Sequence, residues 1–181
     1  MLLARHLLAS TEGSSSWDSY YVRSFSIDSG DRMGRRIYTV GHSSRSLEEF
    51  ISLLHHYGVE VLVDVRRWPT SSRYPWFRRE ELSRVLGEHG IEYVWLGGLL
   101  GGYRSGGYEE YMRSREYEEG IRRLEEISRG RRVAIMCSEK LWFKCHRRFI
   151  SDTLVARGYT VVHIIERGRT QDHRLRRRPT S

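Results

Sequence analysis

The chain is poor in cysteine, proline and lysine, and it has no long apolar run. It holds 2 cysteines and 3 prolines in 181 residues, and lysine stands only at Lys140 and Lys144. Two cysteines cannot staple a small secreted fold, so free thiols in a reducing cytosol are expected. No stretch approaches the roughly 20 consecutive apolar residues of a membrane span. The opening Met1-Leu2-Leu3-Ala4-Arg5-His6-Leu7-Leu8-Ala9 is too short and too interrupted for a secretory h-region. Membrane and export readings are excluded, and a cytoplasmic protein is expected.

Several catalytic signatures are missing too. There is no Walker loop, no strand-coupled G-x-G-x-x-G and no G-x-S-x-G elbow. The phosphatase P-loop pattern fails because Phe143, not Arg, stands six residues after Cys137. The Cys137-x7-Cys145-His146 spacing lacks the paired C-x2-C of structural zinc sites, so no metal site is expected. No cofactor is implied.

What is present suits one folded domain. Apolar residues make up 39% and charged residues 30%, with mean hydropathy −0.59, enough for a single core. The net charge is +8, and half of that excess lies in the last sixteen residues, which carry six Arg against two acids. Such a tail, 166–181, is either a solvated end or a weak, salt-sensitive attachment to a polyanion. Residues 1–36 show no periodicity and a Ser-rich stretch; they read as an N-terminal extension or as sequence upstream of a true start at Met33.

Between 37 and 165 strands and helices alternate. Ile37–Val40, 60–65, 91–96, 132–137 and 160–165 are short β-branched apolar runs, the pattern of strands buried on both faces. Ser46 and Glu49 form a capping box ahead of a helix ending at Gly58. Further helices are expected over 80–88, over 108–128 as one broken helix or two, and over 145–157. The expectation is a doubly wound α/β domain with a mainly parallel five-stranded sheet and helices on both faces.

In such sheets ligands bind beyond the carboxyl ends of the strands. The residues standing there are His42, Ser43 and Arg45; Asp64, Arg66 and Arg73; Cys137 and Glu139; Cys145, His146 and Arg147. Arg45, Arg66, Arg73 and Arg147 suit an anion clamp, because guanidinium forks match phosphate and carboxylate; alternatively they pair with nearby acids. Asp64 is either an acid–base group or the anchor of Arg66. A thiol at a helix start feels the positive helix end and neighbouring cations, which favours thiolate at Cys145. Cys137 is equally placed as nucleophile, with His146 or His42 as base, unless both cysteines are core residues.

Three stretches, Gly41-His42-Ser43-x-Arg45-Ser46, Asp64-Val65-Arg66-x-x-Pro69-x-Ser71-x-Arg73 and Cys137-x-Glu139-x5-Cys145-His146-Arg147, resemble the domain of unknown function 488 family, in the same order, over roughly 37–165. The resemblance implies an α/β sandwich and a prokaryotic cytosolic protein. It implies no particular reaction.

The residues themselves favour an enzyme acting on an anionic, phosphate-bearing substrate related to nucleotides or nucleic acid. Arg66, Arg73 and Arg147, with Ser43 and Arg45, would hold the anion; Asp64, Glu139 or His42 would transfer protons; Cys137 or Cys145 would act as nucleophile. Two other readings stand beside it. One is a non-catalytic nucleic-acid module using the tail and the aromatics Trp68, Tyr74, Trp76 and Tyr103. The other is a redox-responsive protein with a reversible Cys137–Cys145 bridge.

Overall fold

A computed structural model of the protein describes residues 35–175. The segments 1–34 and 176–181, and with them most of the expected extension and the Arg176-Arg177-Arg178 run, lie outside the described residues.

In chain order the elements are β1 (Arg36–Gly41), α1 (Leu47–His56), β2 (Val61–Asp64), α2 (Arg79–Glu88), β3 (Glu92–Trp95), α3 (Gly97–Leu100), α4 (Tyr108–Tyr111), α5 (Arg115–Ile127), β4 (Val133–Cys137), α6 (Arg147–Ala156), β5 (Thr160–Glu166) and β6 (Arg169–Asp172). Short 3-10 turns stand at Pro75–Phe77 and Trp142–Lys144. The strands form one sheet in the order β3-β2-β4-β1-β5-β6. All neighbours pair parallel except β5 and β6.

Four of the apolar runs become the inner strands β1, β2, β4 and β5 because both of their faces are covered, and the fifth becomes the half-buried edge strand β3. On one face Ile37, Val63, Val133 and Ile135 pack under Leu100 of α3, Ile121 and Leu124 of α5, and Ile150 and Leu154 of α6. On the other, Val40, Leu62, Ala134 and Met136 pack under Phe50 and Leu54 of α1 and Leu82 and Leu86 of α2. Each such side chain, fully buried, contributes about 1.5–3 kcal/mol. The capping box holds α1 in place: Ser46 N–H donates to Glu49 Oε2 at 2.9 Å and Glu49 N–H to Ser46 Oγ at 3.1 Å.

Among the described residues the sheet has six strands rather than five. The sixth, Arg169-Thr170-Gln171-Asp172, lies in the segment read from sequence as a tail, and all four residues are exposed. An edge strand with solvent on both faces carries no apolar alternation, so periodicity is silent about it. His173, just after it, is buried. The 108–128 region is two helices, α4 and α5, separated where Ser114 caps α5 by accepting from Tyr117 N–H at 3.1 Å. The helix expected from Cys145 begins at Arg147, with His146 as its N-cap.

Candidate active site

The carboxyl ends of β1 and β4 lie side by side, Gly41 opposite Cys137. Their ladder runs one step further, His42 N–H donating to Cys137 O at 3.0 Å and Ser43 N–H to Ser138 O at 2.9 Å. From these tips the chain leaves toward opposite faces, β1 into α1 and β4 into α6. Such a divergence of connections opens a crevice, and here it holds a cavity of about 1110 Å³. His42, Ser43, Arg66, Arg73, Cys137, Glu139, Cys145 and His146 all line it. Asp64, Arg45 and Arg147 stand behind that wall, where they hold other residues.

Asp64 is fully buried and entirely engaged. Arg66 Nε donates to its Oδ1 at 2.9 Å and Nη2 to Oδ2 at 2.6 Å, while Arg66 N–H and Tyr93 O–H donate to the same two oxygens at 3.0 and 2.7 Å. A carboxylate removed from water needs this full set of donors. Its effect is to fix Arg66 with Nη1 directed at His42 Nε2, 3.3 Å away.

His42 stacks on Phe77 with ring centroids 4.1 Å apart. Its Nδ1 sits 2.9 Å from Ser43 O, an acceptor, so Nδ1 carries the proton and Nε2 offers its lone pair to Arg66. Burial first, then the Arg66 charge, push its pKa down to about 4. The imidazole is therefore neutral, with its lone pair already in use. Arg45 is spent as a clip, donating to Gly41 O and to Ile165 O at 2.6 Å. Arg73 and Glu139 are exposed members of the wall, Arg73 lying 5.6 Å over the Tyr74 ring.

The thiols form the centre of the site. Cys145 has an extended backbone between the 3-10 turn and α6. Arg147, only 1% exposed, donates from Nε to Cys145 Sγ at 3.2 Å, from Nη1 to Thr39 Oγ1 at 3.4 Å, and from Nη2 to Glu139 O. The hydrogen bond from the Cys137 thiol, followed by the Arg147 guanidinium and backbone N–H, outweighs burial and pushes the Cys145 thiol down to about 6. The same thiol–thiol bond, with burial, pushes Cys137 up, so Cys137 keeps its proton. His146 donates Nε2–H to Val65 O at 2.9 Å, which leaves the Nδ1 lone pair free; burial lowers its pKa and keeps the ring neutral.

Cys137, Cys145 and His146 offer donor atoms within 4.8 Å of one another, a proximity the sequence spacing did not promise. A dication between them would have to displace the Cys137 proton and sit beside the Arg147 guanidinium. That electrostatic setting suits a single thiolate better than a metal.

The family model described as domain of unknown function DUF488 matches residues 46–154. The chain belongs to that family. No curated protein and no solved structure matches it. In this DUF488 protein the matched segment carries Asp64, Arg66, Arg73, Cys137, Glu139 and the Cys145-His146-Arg147 run, whereas His42, Ser43 and Arg45 precede it.

One group of buried polar residues in this DUF488 protein escapes the sequence reading. His163 Nδ1 lies 2.7 Å from Thr39 Oγ1, its Nε2 lies 2.9 Å from His173 Nδ1, and His173 Nε2 lies 2.8 Å from Asp152 Oδ1. Because Asp152 accepts, the protons order in one direction: Arg147 donates to Thr39, Thr39 to His163, His163 to His173 and His173 to Asp152. Trp142 covers His163 with centroids 4.1 Å apart and rings 5° from parallel. Burial first, then His173, push the His163 pKa down to about 3. The line ends on the arginine that touches Cys145. Among the described residues no helix is long and apolar enough to cross a membrane.

Proposed function

We propose that this protein is an enzyme in which the Cys145 thiolate attacks a phosphate-bearing anionic substrate held in the cavity at the carboxyl ends of the strands. The observation that carries this reading is the setting of one sulfur. Cys145 lines the cavity, and its Sγ accepts from a buried guanidinium at 3.2 Å. A neighbouring cation and a helix start favour thiolate, the reactive form. Arg66 and Arg73 reach the same walls, and guanidinium forks take phosphate oxygens in pairs.

In the first step the Cys145 sulfur supplies the electron pair of a new bond to the substrate's electrophilic atom, and the leaving group departs with the pair of the bond that breaks. Water then attacks the adduct. His146 Nδ1 takes the proton of that water, and Cys145 is released as thiolate. A reducing cytosol keeps both thiols available for this cycle. A non-catalytic nucleic-acid module would have no need of a buried arginine directed at a thiol.

A second reading is favoured by the sulfur pair itself, whose atoms lie within 4.8 Å. A peroxide or disulfide oxidant would take two electrons from the Cys145 thiolate and the Cys137 thiol, the Cys137 proton would leave with them, and a disulfide would form.

Intact-mass spectrometry tests both readings. Incubation with a panel of phosphate-bearing metabolites should give turnover or a covalent adduct, both lost in Cys145→Ser. A substrate-independent loss of two hydrogens under mild oxidant, without turnover, would select the redox reading. A tightly bound metal ion in the native mass spectrum would overturn both.

A further inference from the structure

Two large aromatic side chains at the cavity are left open to water. Trp68 is 60% exposed and Tyr103 85% exposed, and both line the same cavity as Arg66 and Arg73. Their ring centroids are 5.7 Å apart with the rings inclined by 35°. Exposing so much apolar surface forgoes favourable burial at each ring, so the arrangement needs a cause.

The arrangement is built, and one arginine builds it. Arg67 places its guanidinium 5.0 Å over the Trp68 ring and donates from Nη1 to Tyr103 O at 2.6 Å. Tyr103 has φ +57°, a left-handed backbone that a bulky residue seldom adopts. Such a conformation persists where its surroundings enforce it, and such places cluster at ligand sites. The two loops that carry the rings also touch: a Cβ at Gly101 would fall 2.7 Å from Arg67 Cα. Gly102, next to Tyr103, lies against the His146 ring. The aromatic pair is therefore one residue away from the groups around Cys145.

We infer that Trp68 and Tyr103 form a stacking lip for a nucleobase, so that the ligand of this cavity is a mononucleotide with its phosphate toward Arg66 and Arg73. The inference rests on the anion-binding reading above and names the other end of the ligand. Every nucleobase offers a π-face to an aromatic pair, and the Arg67 cation over the Trp68 ring adds to the attraction. One cavity is lined by the two exposed rings and by Arg66 and Arg73, which matches a ligand with a base at one end and a phosphate at the other.

Titration calorimetry on the full chain tests this with inorganic phosphate, ribose 5-phosphate and the four common ribonucleoside monophosphates. At least one nucleotide should bind roughly ten- to a hundredfold more tightly than ribose 5-phosphate, the range expected for stacking one base. In Trp68→Ala that advantage should shrink to a fewfold. Tyr103→Asn should act likewise, since Asn tolerates the left-handed backbone and removes only the ring. Nucleotides and ribose 5-phosphate binding equally would overturn the lip and leave the anion reading intact. No binding by any of the probes would overturn both. A single-stranded oligonucleotide binding far more tightly than every mononucleotide would replace the ligand class with nucleic acid.

Discussion

Arg147 Nε stands 3.2 Å from the sulfur of Cys145, two residues earlier in the chain, and the guanidinium has almost no access to water. The relationship is unusual because the cation is committed on all sides: Thr39 and the Glu139 carbonyl take its other N–H groups. A charge fixed in this way cannot swing out to solvent, so its influence on the thiol is permanent.

The first prediction follows from it. Alkylation of Cys145 by iodoacetamide should rise with pH through a midpoint near 6, the range set by the Cys137 and Arg147 contacts. Arg147→Gln should move that midpoint upward by a unit or more. Rates read by peptide mass spectrometry check this, and an unchanged midpoint would sink the assignment.

The Asp64–Arg66 pair gives the second. Asp64→Ala leaves a buried guanidinium without its carboxylate and should cost about 3–5 kcal/mol in urea unfolding. Tyr93→Phe removes one donor to the same carboxylate and should cost nearer 1 kcal/mol. Equal losses from the two would mean that the ion pair is not what holds this corner.

The third concerns pH. His42 and His163 have folded pKa values of about 4 and about 3, below the 6.5 of the unfolded chain. Between those values the unfolded state binds protons that the folded state refuses. Stability is therefore full above pH 6.5 and declines as pH falls toward 4, by up to about 1.4 kcal/mol per unit for each histidine. The pH slope of stability in His163→Asn should be shallower than that of the parent; an identical slope would exclude His163 as a contributor.

The fourth uses two neighbouring glycines. Gly97→Ala would drive a methyl group to 1.8 Å from Arg66 O, whereas at Gly98 the nearest atom is a Trp95 ring carbon at 3.5 Å. Gly97→Ala should cost about 1–3 kcal/mol and blunt nucleotide binding, and Gly98→Ala should be close to neutral. Paired melting curves decide it.

Much of this was legible in the chain. The four inner strands are visible because strands covered on both faces need continuous apolar runs, as in Val133-Ala134-Ile135-Met136-Cys137, and β3, half-buried at one edge, still reads as a strand through Tyr93-Val94-Trp95. Their carboxyl ends in turn point to His42, Arg66, Cys137 and Cys145 as neighbours. What escaped has a physical reason in each case. Nothing in Arg169-Thr170-Gln171-Asp172 is buried, so no periodicity marks β6. His163 sits within Val161-Val162-His163-Ile164, where a buried histidine looks like any core residue until its partners Thr39 and His173 are seen across the fold. Asp64 and Arg66 are two positions apart and could be read as a pair, but that Arg147 turns inward toward Cys145 is a matter of side-chain direction that spacing does not carry.

The β5–β6 hairpin bears on how the molecule is assembled and how it behaves when crowded. Every parallel pairing in the sheet joins distant parts of the chain and must wait for long loops to close. The final pairing needs only the short turn at Arg167-Gly168, which forms locally and fast. It covers the outer rim of β5, whose Val161, Val162 and Ile164 would otherwise invite another chain to dock and extend the sheet. The rim that remains outermost carries Arg169 and Asp172 in water, a poor template for lateral growth into aggregates.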